Sequence, residues 1–146
     1  MTSLNQRISV FEQDKVIFKA TTDLETNITF NTGNVAPFNK IAFCYPNTSD
    51  FNTSTYKYTV PRNGIYQFTF QLFQSSTPST STKFGFYKNN AAVAVAGAYV
   101  SNSEALTFLE NCVVGDTIDV RCYLTSSSVI VFMSEIRCWF TGILVK

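Results

Sequence analysis

The sequence has 146 residues, which suits one domain, with 45% hydrophobic and 15% aromatic residues. Charged residues make up only 14%, well below the ~25% of an average soluble domain. Either the polar surface consists largely of Ser, Thr and Asn, or other subunits cover part of the surface, or both are true. The net charge of +1 comes from scattered basic residues, with no run that would follow a phosphate backbone, which argues against nucleic-acid binding.

The chain is predicted to begin with a loosely attached N-terminal arm, residues 1–15, able to dock on a partner, followed by one domain over residues 16–146. The arm has no apolar core of the kind that a secretory signal requires. The longest apolar stretch, residues 91–100, is half the roughly 20 residues that a membrane-spanning helix needs. We expect no membrane insertion.

Alternation of period two recurs along the chain and predicts strands, whereas helix signals are nearly absent. A turn at residues 61–64 (PRNG) precedes the clearest strand, in which Tyr66, Phe68, Phe70 and Leu72 share one face. A polar loop follows at residues 75–82. Asn89-Asn90 then predicts a tight hairpin turn between two apolar runs.

The C-terminal third continues the same rhythm of short strands and turns. Residues 101–103, 114–116 and 126–128 read as turns, and Asp116 suits a turn that hydrogen-bonds its own backbone. Between the last two, Ile118, Val120, Cys122 and Leu124 alternate with Asp119, Arg121 and Tyr123, which predicts a solvent-facing Asp119. The last segment, residues 138–145, is apolar on both faces except for Thr141. Such a strand is expected to be covered on both sides.

The chain has four cysteines and no histidine. No C-x-x-C pair occurs, so a zinc site would need thiolates from widely separated strands and is disfavoured. Cys122 is in phase with Ile118 and Val120, and Cys138 with Phe140, which favours buried small hydrophobic side chains. If all four were bridged, three pairings would be open.

The sequence gives little support for catalysis. Without histidine, the commonest general base and any Ser-His or Cys-His pair are excluded. No Gly-x-Ser-x-Gly elbow or phosphate-binding glycine loop occurs. Asp116 and Asp119 are the nearest carboxylate pair, and we interpret them as turn and surface residues. We predict a non-enzyme without cofactor or metal.

The order of motifs resembles the globular domain of C1q and its relatives in the tumour-necrosis-factor superfamily. The pattern begins with Phe18-Lys19-Ala20, followed by an Asn-containing extended stretch at residues 28–33. A Pro-x-x-Gly-x-Tyr-x-Phe block then matches residues 61–68. It continues with Gly115-Asp116 before an alternating strand, and closes with Phe-x-Gly-x-Leu at residues 140–144. The resemblance covers most of the chain.

The resemblance implies an all-β jelly-roll sandwich of two antiparallel sheets that associates as a homotrimer around an apolar axis. Tyr66, Phe68 and Phe140 are the candidates for the trimer interface that it suggests. Trp139, on the other face from Phe140, is a candidate for a rim or ligand contact. Gly142, between large apolar residues, marks a point where a ring or backbone approaches closely. The acidic residues do not cluster as the calcium site of some relatives would require.

Two functions are open from the sequence. The first is a structural module that decorates, caps or forms a spike on a larger assembly such as a virus capsid, located on the particle surface. The second is an extracellular recognition module for a receptor or glycan ligand, as in secreted relatives. Secretion predicts disulfides and occupied glycosylation sequons at Asn27, Asn47 and Asn52, whereas a virion or cytosolic origin predicts free thiols.

Overall fold

The computed structural model describes residues 15–73, 83–95, 103–124 and 129–146. The predicted arm, apart from Lys15, and the predicted loops at 75–82 and 126–128 lie outside the described residues, as do residues 101 and 102. Within the described ranges, no helix is long and apolar enough to cross a membrane. A 3-10 turn spans Thr48–Asp50. The strands are β1 (Ile17–Thr21), β2 (Thr26–Phe30), β3 (Lys40–Tyr45), β4 (Phe51–Asn52), β5 (Lys57–Thr59), β6 (Gly64–Phe73), β7 (Lys83–Lys88), β8 (Ala91–Val95), β9 (Ser103–Cys112), β10 (Thr117–Leu124), β11 (Val129–Met133) and β12 (Trp139–Leu144).

The strands form two five-stranded antiparallel sheets and one two-stranded ribbon. The first sheet has the order β3-β1-β12-β6-β9, and the second has the order β4-β5-β10-β7-β8. The ribbon pairs β2 with β11. The predicted all-β sandwich of two antiparallel sheets is therefore confirmed, and the ribbon is an addition to it.

The core between the two sheets is built mainly from aromatic rings. Phe18 of the first sheet stacks on Tyr58 of the second, with ring centroids 4.0 Å apart. Phe70 meets Phe86 across the same gap at 5.1 Å. These side chains are fully or almost fully buried, and burial of each contributes about 1.5–3 kcal/mol. The period-two pattern of β6 selects these inward positions because alternate side chains of a strand point to opposite faces.

Gly142 on β12 lies where two aromatic rings approach the backbone, as its position in the sequence predicts. A Cβ atom at this position would clash with the ring of Phe18 and would lie 2.8 Å from the ring of Phe68. Only glycine leaves room for both rings.

The turns at one end of the sandwich follow their predicted chemistry. Asn89 and Asn90 have positive φ values of 51° and 68°, which asparagine tolerates, and they join β7 to β8. The Asp116 carboxylate accepts hydrogen bonds from the backbone N–H of Val113 and the side chain of Asn89, both at 2.9 Å. Asp116 therefore closes its own turn and fixes the hairpin beside it.

Candidate functional site

The three aromatic residues predicted at the trimer interface lie in the core instead. Tyr66, Phe68 and Phe140 each have 0% of their surface exposed in the single chain. Side chains without exposed surface cannot touch a neighbouring copy, so this assignment is corrected. They point inward because the second sheet covers the Phe-rich face of β6 and β12. An interface on the first sheet must use the opposite face of the same strands.

Strand β12 is covered on one side only, which differs from the prediction made for residues 138–145. Phe140 and Gly142 face the core, whereas Ile143 is 41% exposed and Trp139 and Thr141 are partly exposed. The second sheet covers the inner face, and no described residue forms a third layer over the outer one. The apolar outer residues of β12 thus lie on an open sheet face.

An uncharged row of side chains crosses all five strands of the first sheet on this outer face. Ile17 pairs with Ile143, and Ile143 pairs with Gln67. Pairing of Ile17 with Tyr45 and of Gln67 with Leu109 extends the row to both edges. Tyr45 is 45% exposed and Leu109 is 63% exposed. We call this set the apolar row: Tyr45, Ile17, Ile143, Gln67 and Leu109.

The neighbouring row on the same face is almost as poor in charge. Its members, in strand order, are Phe43, Lys19, Thr141, Thr69 and Thr107. Lys19 is the one charged residue of the two rows, and its ammonium lies 5.9 Å from the ring centroid of Trp139. Thr69 and Thr107 hydrogen-bond each other through their hydroxyls at 2.9 Å. Because these two hydroxyls bond each other, their removal from water costs less free energy.

A groove lies on this face where β1, β3 and β12 meet. It has a volume of about 630 Å³. Phe43 and Tyr45 form one wall, Ile17 and Ile143 lie on the other strands, and Lys15 is the one charged residue of the lining. Burial of such a face removes apolar surface from water and leaves few charges to be desolvated. The groove and the apolar row together form a surface suited to contact with another protein.

The outer face of the second sheet is different because it carries a network of charges. Asp119 of β10 accepts hydrogen bonds from the Arg121 guanidinium at 2.6 and 2.9 Å. The Lys57 ammonium lies 3.9 Å from the same carboxylate. Asp119 is only 1% exposed, so the prediction of a solvent-facing aspartate is wrong. The long side chains of Arg121 and Lys57 extend over it and exclude water.

The edge strand β8 offers a second uncharged surface. Its sequence is AAVAV, and Val93 is 38% exposed. β8 pairs with β7 on one side, and within the described ranges no strand pairs with its outer edge. An edge without charge or proline retains free backbone donors and acceptors. This edge is therefore suited to contact with a second protein surface.

The cysteines are all free and buried, as predicted for small hydrophobic side chains. Burial raises the pKa of Cys44 to about 11, and the nearby Asp50 carboxylate adds to the effect. Burial also raises the pKa of Cys112 to about 11, although Lys88 opposes it. Thiols with such pKa values stay protonated at neutral pH and react slowly. In the described part of the chain, no group of three or more His, Cys, Asp or Glu residues could hold a metal ion.

The chain is similar to one protein family over nearly the whole described region. The model of the C1q domain matches residues 17–145. No curated protein sequence matches the chain.

Solved structures with this arrangement of strands include tumour-necrosis-factor and complement proteins. Eiger TNF from S. frugiperda superposes with a TM-score of 0.69 at 10% identity, over 90% of this chain and 93% of that one. The globular domain of zebrafish complement 1qA gives a TM-score of 0.63 at 14% identity, over 91% and 98% of the two chains. Murine APRIL gives 0.63 at 11% identity, over 90% and 100%. At these identities the likeness establishes the jelly-roll fold.

Proposed function

The chain belongs to the C1q domain family, and from this membership we propose that it is a non-catalytic homotrimeric module that decorates, caps or forms a spike on a larger assembly such as a virus capsid. The observation that carries the proposal is the outer face of β12. The residues of β12 are as apolar as those of a strand covered on both sides, yet the outer face of β12 is open in the single chain. A neighbouring copy is the cover that we propose.

A closed trimer requires two different surfaces on each copy, because a three-fold ring joins subunits head to tail. The apolar row and its groove supply the first surface. The edge strand β8 supplies the second, since it is uncharged and its outer backbone edge is unpaired within the described ranges. The charged outer face of the second sheet then remains in water.

The particle-surface role is supported by the state of the cysteines. All four are free in the structure, as expected for a chain that folds without an oxidising compartment. The alternative, an extracellular module that binds a receptor or glycan, would favour bridged cysteines. Trp139 remains our candidate for a rim or ligand contact, because it is partly exposed on the outer face, next to the row that contains Lys19 and Thr141.

The test is the mass of the chain in solution, measured by light scattering on a sizing column. We expect three times the 16.3 kDa of one chain. Ile143→Asp should give a folded single chain, because the new carboxylate lies on the outer face, where it is solvated in the monomer and buried in the trimer. The control is Ile136→Asp at the far end of the sheet, where the native side chain is 81% exposed. A native chain that is a monomer at all concentrations would refute the trimer.

A further inference from the structure

A second surface patch lies on the loop between β11 and β12, where an arginine stacks on aromatic rings. The Arg137 guanidinium lies over the ring of Phe73 with its central carbon 4.6 Å from the centroid. The ring of Phe132 lies 6.0 Å from the same carbon. These rings come from the end of β6 and from β11, so two elements hold the guanidinium in one orientation. Stacking on aromatic faces leaves the N–H edge of a guanidinium free to bind.

The charge of Arg137 is not neutralised within the described structure. The ion pairs there join Lys40 to Glu135, Lys88 to Glu110, and Lys57 and Arg121 to Asp119. Glu135, the acidic residue closest in sequence, is thus engaged by Lys40 at 2.9 Å. The Arg137 guanidinium is therefore held in one orientation, and none of these ion pairs gives it a carboxylate partner.

Apolar and polar groups beside Arg137 complete the patch. Ile136 is 81% exposed, the most exposed of the large hydrophobic side chains in the described ranges. A cavity of about 370 Å³ lies against Phe73, Phe132 and Arg137. Ser134 and Glu25 also line it, and the buried Ser134 hydroxyl has no hydrogen-bond partner in the described chain. Arginine and aromatic residues around a cavity are the groups that dominate binding energy at protein interfaces.

We propose that this patch, Phe73, Phe132, Ser134, Ile136 and Arg137, binds a protein partner that presents a carboxylate side chain beside an apolar one. The carboxylate pairs with the free edge of the Arg137 guanidinium, and the apolar side chain packs against Ile136 and enters the cavity. A protein fits better than a small molecule, because Ile136 is 81% exposed although it lines the cavity, and only a partner larger than the cavity would cover it.

The patch is separate from the apolar row. Six residues separate Arg137 from Ile143 along the chain and Phe73 from Gln67 along β6, which corresponds to about 20 Å of strand. Binding at the patch therefore leaves the proposed trimer face free. The inference goes beyond the proposed function, since a monomer would carry the same patch.

The test begins with a phage-displayed library of random peptides, selected on the immobilised full chain. We expect the enriched peptides to carry Asp or Glu next to a Leu, Ile or Phe, and not to bind Arg137→Gln. Enriched peptides without an acidic residue, peptides that bind the variant equally well, or no enrichment at all would each overturn the proposal.

Affinities of one enriched peptide then separate the roles of the residues. Arg137→Gln should weaken binding by about tenfold or more, since hydrogen bonds to charged groups are the strong ones. Arg137→Lys should recover only part of this loss, because an ammonium lacks the planar fork. Glu25→Gln should strengthen binding by about twofold, because Glu25 lines the same cavity and repels an acidic ligand.

The control variant is Lys146→Gln, which removes one positive charge at the other end of the sheet, where the Lys146 carbonyl accepts from Ile65. Its affinity should equal that of the native chain, and an equal loss in both variants would mean non-specific attraction. All variants should keep the mass of the native protein. Peptide binding by a native chain that proves monomeric would refute the trimer and leave the patch intact.

Discussion

At the scale of single residues, Gly142 is a position where a small change has a large predicted cost. The rings of Phe18 and Phe68 occupy the space that a Cβ atom would need. We expect Gly142→Ala to lower the free energy of unfolding by about 1–3 kcal/mol, through displacement of these rings. Urea unfolding at one fixed protein concentration measures it. Thr141→Ala, which changes the outer face of the same strand, is the control and should cost less.

Asp116 gives the protein a dependence on acid. Its hydrogen bonds to the Asn89 side chain and the Val113 backbone lower the pKa of the carboxyl below its ordinary value of 3.8. A lowered pKa in the folded state means that the stabilisation is fully present above the unfolded-state pKa. It is lost as the pH falls through the folded-state value. The unfolding free energy of the native chain should therefore decrease between pH about 6 and about 3, and that of Asp116→Asn should decrease less over the same range.

A second variant separates the hydrogen bonds of Asp116 from its charge. Asn89→Gly removes the donating amide but keeps a residue suited to the positive φ of the turn. Its unfolding free energy should also depend less on pH than that of the native chain. An acid profile identical to the native one in both variants would show that Asp116 is not responsible.

The residue-scale errors of sequence reasoning have a common physical cause. Period two assigns Tyr66 and Phe68 to one face of β6, and the structure confirms that they share it. The period does not say whether the chain's own second sheet or a neighbour covers that face. Because a folded chain buries its most apolar surface first, the Phe-rich face became the core. For Asp119, alternation gave the outward face correctly, but not the side chains that cover it.

At the scale of elements, the edge strand β8 makes a prediction about assembly. Val93→Lys places a charge on the uncharged edge, and lysine on an edge strand opposes pairing with another chain. If β8 is the second trimer surface, the variant should fold and sediment as a single chain. Val113→Lys is the matched control, because Val113 is 56% exposed in a turn. If Val93→Lys still forms a trimer, the second trimer surface lies elsewhere on the chain.

Contacts between elements that lie far apart in the sequence could not be predicted from the sequence. The turn at 89–90 and the turn closed by Asp116 were predicted because their signals are local. The patch around Arg137 was not, because its rings come from β6 and β11, and Phe73 is 64 residues away in the sequence. Nothing near Arg137 in the sequence indicates that Phe73 will lie beneath it.

At the scale of the whole molecule, the state of the thiols distinguishes the two proposed settings. Four free cysteines are present and buried, and burial raises the pKa of Cys44, Cys112 and Cys138. We expect a chromogenic disulfide reagent to react slowly with the native protein and to count four thiols after unfolding without reductant. A count below four would mean bridged cysteines and would favour the extracellular alternative.

The pairing of β1 with β12 determines when the first sheet can be completed during synthesis. Ile17 pairs with Ile143, so neighbouring strands of this sheet come from opposite ends of the described chain. At about 5–20 residues per second, on the order of 10 s passes between the synthesis of β1 and that of β12. During this interval Phe18 has neither the ring of Phe140 nor the backbone of Gly142 to pack against. Completion of the first sheet must therefore wait for β12, and the aromatic residues made earlier need protection from aggregation until then.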